Sequence, residues 1–258
     1  MAGKRAYFRF YEELNDFLPE EHRYRTIERP FELAASVKDM IEALGVPHTE
    51  IDLIVVDGRS VDFSYLVADG DRVGVYPMFE SLDISDTQRL RATPLRHTRV
   101  IVDANLGALA RYLRLLGFDT AYSSETADAE LARISVDEKR LLLTRDVGVL
   151  KRAAVTHGYF VRSQDPREQV IEVLARFDLA DAVDPLSRCA RCNGVLVDVA
   201  KGDIVERLPP SVRESHDDFC NCPDSGQLYW RGSHLARIDS FVDDVVAAAK
   251  QRGLGSTV

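Results

Sequence analysis

The sequence has no long apolar run, and this absence limits the classes of protein that it encodes. None of its apolar stretches reaches the roughly 18 residues that a membrane-spanning helix requires. The opening MAGKRAYFRF lacks the apolar core of a signal peptide. Internal repeats and low-complexity tracts are also missing. We therefore expect a cytoplasmic globular protein, and its 258 residues predict more than one folded unit.

Cysteine is scarce and confined to one short stretch. The four cysteines all lie between positions 189 and 222. So few cysteines cannot form the disulfide framework of a chain this long, and such clustering more often indicates a metal site. Cys189 and Cys192 have the two-residue spacing of a zinc knuckle, and Cys220 and Cys222 supply a second pair. A zinc ion with a full ligand set would be structural; the alternatives are a metal-free ribbon held by packing, or a disulfide.

An excess of basic charge is lacking as well. The net charge of −9 argues against a protein coated in phosphate-binding surface. Only residues 91–170 have a positive balance, with 13 basic and 10 acidic side chains. A local basic face is typical of nucleic-acid enzymes, because phosphate contacts dominate their affinity. Charge alone does not distinguish such a face from a chance fluctuation.

Residues 1–82 have the pattern of a small sheet folded around one helix. The helix is predicted over 37–44, where apolar residues recur at helical spacing before Gly45. Strands are predicted over 6–10, 23–28, 51–56, 61–63 and 73–76, with turns at 57–58 and 69–71. This order predicts a β-grasp domain. The polar residues 83–97, which include Pro94, predict a linker.

From residue 98 the pattern changes to strands that alternate with helices. Strands are predicted over 98–103, 119–122, 140–144 and 159–162, and helices over 105–116, 128–134, 149–157 and 166–177. This alternation predicts an α/β domain with a parallel sheet over 98–183. The cysteine module and a C-terminal helix follow over 184–258.

Acidic residues stand at the carboxyl ends of two of these predicted strands. Asp103 follows the first strand, Asp146 follows the third, and Asp128 opens the helix that leads into the third. Ligands of an open α/β sheet bind at the carboxyl ends of its strands. Carboxylate oxygens suit Mg²⁺ and Mn²⁺, so these residues predict a catalytic metal site. The structural alternative is that Asp128 and Asp146 cap helices.

Residues 6–77 resemble the ubiquitin-like, sulfur-carrier branch of the β-grasp superfamily. The resemblance is strongest in VVDGRSVDFSYLVADGDRVGVYP. Sulfur carriers act through a terminal Gly-Gly, whereas this chain has Pro77-Met78-Phe79-Glu80 at that place and continues. The resemblance therefore implies a module that binds a protein partner or acts as a scaffold, rather than a sulfur carrier.

The remainder of the chain resembles the Mut-7 C-terminal RNase domain, a PIN-like family. The motif IVDANLGALARYLRLLGFDTAY carries the resemblance, together with DAELARI and RLLLTRDVGVL, and it extends over about 98–240. It implies a PIN-like nuclease domain with a zinc ribbon. On this pattern Asp103, Asp128 and Asp146 fall on acidic Mg²⁺- or Mn²⁺-binding positions. The fourth acidic residue of PIN nucleases has no clear counterpart, and Asp119 and Glu125 are candidates.

The resemblance also implies residues that bind substrate. Arg111, Arg114 and Arg145 are expected to contact RNA phosphates near the cleft. A solvated helix face is the alternative for Arg111 and Arg114.

The fourth zinc ligand is left open by the resemblance. The family's ribbon carries Cys-Pro-x-Cys-Gly where this chain has Cys222-Pro-Asp-Ser225-Gly, and Ser225 takes the fourth position. Cys189, Cys192 and Cys222 are therefore expected ligands, with Cys220 favoured as the fourth and Ser225, His216 or His234 as substitutes.

Taken with the motifs, the leading hypothesis is a metal-dependent ribonuclease that acts on RNA, with structured RNA such as tRNA as the expected substrate. The alternative is a catalytically weak RNA-binding adaptor that recruits a partner through its β-grasp domain. Sulfur transfer is a third, disfavoured by the absent Gly-Gly.

Overall fold

The computed structural model describes residues 3–77, 99–230 and 233–255, with the side chains of 233–238 and 254–255 excepted. The predicted linker at 83–97 lies outside these residues. By the density of its internal contacts the chain divides into two units: Met1–Arg96 with Asp146–Phe160, and His97–Arg145 with Val161–Val258. No helix in the described part of the chain is both long and apolar enough to cross a membrane.

The first unit contains the predicted β-grasp domain. Its elements are β1 (Lys4–Phe10), β2 (Thr26–Phe31), α1 (Val37–Ala43), β3 (Ile51–Val56), β4 (Arg59–Val61) and β5 (Arg72–Pro77). The sheet order is β2-β1-β5-β3-β4, in which β1 and β5 are parallel and the other pairs antiparallel. This arrangement confirms the ubiquitin-like fold.

Alternation along β1 explains how this sheet closes on its helix. Ala6, Phe8 and Phe10 are fully buried on one face, and they pack in one core with Val37 and Ile41 of α1. The helix begins where the Ser36 hydroxyl accepts a hydrogen bond from the Asp39 amide, a regular N-cap. The β-grasp domain is therefore built on a single apolar core between one sheet and one helix.

Asp146–Phe160 also belongs to the first unit. It comprises α4 (Val147–Leu150) and β9 (Gly158–Phe160). The imidazole Nε2 of His48 donates to the carbonyl of Val155 at 2.8 Å, and the amide of Phe160 donates to Glu50 Oε1 at 2.6 Å. The helix predicted over 149–157 was thus wrong beyond Leu150. Tertiary contacts override helical propensity here, because Val155 is fully buried and its carbonyl is engaged by His48.

The second unit contains the predicted parallel sheet. Its strands are β6 (Val100–Val102), β7 (Thr120–Tyr122) and β8 (Leu141–Thr144), and its helices are α2 (Gly107–Leu115), α3 (Asp128–Asp137) and α5 (Pro166–Arg176). Strand β6 pairs in parallel with both β7 and β8. The first strand of the sheet is therefore internal, and the chain turns to opposite sides of it.

The cysteine module closes the described chain. Its sheet has the order β10-β11-β12, from Val197–Asp198, Phe219–Asn221 and Leu228–Trp230. Two short helices, α6 (Lys201–Ile204) and α7 (Pro210–Ser215), lie between the first two strands, and α8 (Ser233–Gly255) follows. A small core holds the module together, made of Ile204, Leu208, Val212, Phe219 and Leu228. The C-terminal helix packs on α5, where Arg167 and Asp244 form an ion pair at 2.8 Å.

Candidate active site and cysteine module

Asp103 lies at the carboxyl end of β6, beside the end of the neighbouring strand. Its side chain is only 7% exposed. Its Oδ2 accepts a hydrogen bond of 2.6 Å from the hydroxyl of Thr144, the last residue of β8, and its amide donates to the carbonyl of Leu143. Strands β7 and β8 lie on opposite sides of β6, so the adjacent ends of β6 and β8 form a topological switch point of the sheet. Open α/β sheets bind their ligands at such points.

Among the described residues, no cationic side chain neutralises Asp103. In the described part of the chain it forms no ion pair with lysine, arginine or histidine, and its carboxylate is bonded to the Thr144 hydroxyl. A buried carboxylate is costly unless it is paired or coordinates a metal. Carboxylate oxygen is also the ligand that Mg²⁺ and Mn²⁺ prefer. The environment of Asp103 therefore fits a hard divalent cation.

The other two predicted metal-binding aspartates are exposed. Asp128 is the first residue of α3. Asp146 belongs to the first unit, where its Oδ1 accepts a hydrogen bond of 2.6 Å from the amide of Gly148 and caps α4. Among the described residues, the cysteines Cys189, Cys192 and Cys222 are the one group of three or more metal-ligating side chains whose ligand atoms lie within 4.8 Å of one another. The helix-capping alternative for Asp146 matches its geometry.

Asp119, a candidate for the fourth acidic position, is the centre of an ion-pair network. Its carboxylate contacts Arg140 at 2.7 Å, the amide of Asn193 at 2.8 Å, and Arg99 and Arg188 at 3.3 and 3.5 Å. Burial acts to raise its pKa, but the hydrogen bonds from Arg140 and Asn193 outweigh it and lower the pKa to about 2. The network joins the sheet to the cysteine turn, which is a structural role. The other candidate, Glu125, is exposed.

The three arginines predicted to bind RNA differ in their surroundings. Arg111 is exposed on α2. Arg114 is buried, and its guanidinium donates to the carbonyls of Thr120 and Arg191 at 2.9 and 3.0 Å. One nitrogen of Arg145 donates to three backbone carbonyls, those of residues 161–163. Arg114 and Arg145 therefore hold the backbone in place, and Arg111 is the one whose position suits a phosphate.

Three of the four cysteines form a compact group. The sulfurs of Cys189, Cys192 and Cys222 lie within 4.8 Å of one another, and those of Cys192 and Cys222 are 3.4 Å apart. Thiolates around one tetrahedral zinc, each about 2.3 Å from it, lie about 3.8 Å apart, which is close to this spacing. A Cβ at Gly194 would collide with a carboxylate oxygen of Asp224 and lie 3.1 Å from the sulfur of Cys222, so a larger residue there would force both side chains to shift. The donor set therefore suits zinc.

The structure places Cys220 outside this group. Cys220 lies inside β11, in register with Asp198 and Tyr229, and its thiol donates to Asp198 Oδ1 at 3.4 Å. Cys222 lies beyond the strand end, in the turn that faces the other cysteines. Ser225 is the nearer side chain, since its hydroxyl is 3.4 Å from the sulfur of Cys189.

His216 is likewise not in the group, and the side chain of His234 lies outside the described residues. The sequence analysis missed Tyr229, whose hydroxyl lies 3.1 Å from the sulfur of Cys189. Burial acts to raise the pKa of Cys189, but hydrogen bonds from Ser225, Tyr229 and backbone amides lower it to about 6. Cys189 is therefore suited to act as a thiolate ligand at neutral pH.

Comparison with known proteins covers most of the chain. Residues 98–242 match the family model described as the Mut7-C RNAse domain, and residues 3–83 match the model described as Mut7-C ubiquitin. The first match alone spans more than half of the 258 residues. No curated protein and no solved structure matches the chain.

Proposed function

We propose that the protein is a metal-dependent ribonuclease that hydrolyses phosphodiester bonds in RNA. The chain belongs to the Mut7-C RNAse domain family, and a Mut7-C ubiquitin domain precedes the nuclease domain. Family membership supports a nuclease function. The single observation that carries the metal dependence is Asp103, a buried carboxylate at the switch point of a parallel sheet that no described cation neutralises.

Asp103 would hold Mg²⁺ or Mn²⁺, and the hydroxyl of Thr144 would orient the Asp103 carboxylate. Asp128 and Asp146 are proposed as further ligands from their positions in the sequence. A divalent cation at such a site supplies an activated water and stabilises the leaving oxygen of the phosphodiester. Burial of Asp103 would exclude competing water from its carboxylate, and the hydrogen bond from Thr144 would fix the orientation of the side chain.

We also propose that the cysteine module binds one structural zinc through Cys189, Cys192 and Cys222. The fit of the three sulfurs and the thiolate character of Cys189 support it. RNA is the proposed partner, with structured RNA such as tRNA as the first substrate to examine. A protein partner of the ubiquitin-like domain, and a cytoplasmic location, are proposed from the sequence.

The test is cleavage of labelled tRNA and total RNA by the full chain with Mn²⁺, beside Asp103→Asn. Asp137→Asn is the matched control, since Asp137 is an exposed acidic residue of α3 that pairs with Arg133. We expect the Mn²⁺-dependent rate to fall at least ~100-fold in Asp103→Asn and to persist in the control. Equal rates for wild type and Asp103→Asn would refute the assignment.

One observation favours a second function, a catalytically weak RNA-binding adaptor. Within the described part of the second unit, Asp103 belongs to no group of three metal-ligating side chains, whereas three cysteines form one. An adaptor would bind RNA with no Mn²⁺-dependent turnover, and the same assay with a binding measurement beside it separates the two functions.

A further inference from the structure

A groove of about 950 Å³ lies between α2 and the cysteine module, entirely within the second unit. One side is formed by the exposed face of α2, with Arg111, and the other by the cysteine turn, with Arg191. Its volume falls in the ~300–1,000 Å³ range of sites that enclose ligands. We propose that this α2–cysteine groove binds a single-stranded segment of the RNA substrate, an inference that rests on the proposed ribonuclease function.

The charge of the groove favours a polyanion. Its eleven lining residues, all in the described part of the chain, include three arginines and no aspartate or glutamate, although the chain carries a net charge of −9. Arg111 and Arg191 are exposed and form no ion pair with any described carboxylate. Arg133 and Arg167, two exposed arginines elsewhere in this unit, are paired with acidic residues. Two unneutralised guanidinium groups in one groove suit phosphate oxygens.

The third arginine holds the groove in shape. Arg114 is buried and donates to the carbonyl of Arg191, so it fixes the backbone on which the Arg191 side chain is carried. The neighbouring Asn193 reinforces the same turn, because its side-chain oxygen accepts from the amide of Thr120 at 2.9 Å. These hydrogen bonds join the two walls, and Arg111 and Arg191 lie on opposite walls of the groove.

Anchored aromatic rings indicate unpaired bases rather than a duplex. The hydroxyl of Tyr122 donates to the carbonyl of Ala104 at 3.0 Å, and that of Tyr229 accepts from the amide of Ala190 at 3.0 Å. Both rings line the groove, and each is anchored through its hydroxyl. Rigid aromatic rings beside arginines stack on the exposed faces of single-stranded bases. Ala104, which the Tyr122 hydroxyl contacts, directly follows Asp103 in the sequence. The end of the groove at Tyr122 is therefore tied to the residue next to the candidate metal ligand.

The experiment measures binding apart from cleavage. Fluorescence anisotropy of a labelled 12-nucleotide single-stranded RNA is followed over a series of salt concentrations, with all substitutions made in the Asp103→Asn chain. Arg111→Ala and Arg191→Ala each remove one phosphate contact. We expect each to weaken binding at least ~5-fold and to reduce the slope of log Kd against log salt by about 0.7. Arg133→Ala is the matched control and should leave both unchanged.

Tyr122→Leu tests stacking separately, since it should weaken binding roughly 5- to 150-fold with the salt slope preserved. Unchanged binding in both arginine variants, or binding of a blunt duplex as tight as that of the single strand, would overturn the proposal. The two proposals fail differently. Cleavage by wild type with unaffected groove variants refutes the groove alone. Groove-dependent binding without cleavage by wild type refutes the ribonuclease alone.

Discussion

Replacing Asp119 by asparagine removes the charge at the centre of the network without changing its shape. Moving a carboxyl pKa from its ordinary 3.8 to about 2 corresponds to about 2 kcal/mol of folding free energy. The full cost of orphaning a buried arginine would be larger, but Arg140 keeps a second partner, Glu138, at 2.7 Å. We therefore expect Asp119→Asn to lower the free energy of unfolding by about 2 kcal/mol at pH 7.

The pH dependence gives this prediction a sign. The folded-state pKa is depressed, so the stabilisation is fully present above pH ~4 and is lost as the pH falls toward 2. About half of it should be lost by pH 3, so the difference between wild type and Asp119→Asn should shrink to about 1 kcal/mol there. Urea unfolding can be followed by the fluorescence of Trp230, the single tryptophan, which lies in the cysteine module.

Asp137→Asn is the control for the same titration, because Asp137 is exposed and should leave stability nearly unchanged. A difference between wild type and Asp119→Asn that stays constant from pH 7 to pH 3 would refute the linkage. Equal stability at pH 7 would refute the structural role of the network itself.

Four further substitutions test other parts of the second unit. Gly117 has φ +94 and a Cβ there would collide with a backbone carbonyl, so Gly117→Ala should cost at least ~1–2 kcal/mol and lower the Tm measured by calorimetry. Thr144→Val removes the hydrogen bond to Asp103, and we expect roughly 10-fold slower Mn²⁺-dependent cleavage with the fold retained by circular dichroism. We expect the Cys222→Ser protein to contain no zinc and the Cys220→Ser protein to keep one zinc per chain, as measured by native mass spectrometry. Loss of zinc from both proteins would place Cys220 among the ligands.

The fold was predictable where local patterns carry it. Alternating burial along β1 and the capped helix over 37–43 are properties of neighbouring residues, and the β-grasp sheet and the parallel sheet follow from such patterns. The helix expected over 149–157 was wrong beyond Leu150. The hydrogen bond between His48 and Val155 holds the chain in another conformation there, and it joins residues 107 positions apart. No periodicity in the sequence contains that contact.

The candidate site was predictable only in the residues that local sequence patterns identify. A strand-end aspartate can be found from the apolar run before it, and Asp103 lies there. Its partner Thr144 was not predicted, because the register between two strands 41 residues apart is set by packing. The placement of Cys220 in a strand and of Cys222 past its end likewise depends on pairing with Tyr229, which cysteine spacing does not encode.

The membership of Asp146–Phe160 in the first unit has a practical consequence for dissecting the gene. A truncation that begins near residue 98 preserves the family's nuclease span. It deletes the partners of Asp146–Phe160 in the first unit. Among them are His48, which bonds the carbonyl of the buried Val155, and Glu42, whose carbonyl accepts from Lys151 Nζ at 2.8 Å. Such a fragment would expose an apolar surface that the intact chain covers. Aggregation of the fragment would then reflect a cut through a folded unit, and its inactivity would say nothing about the chemistry of the nuclease.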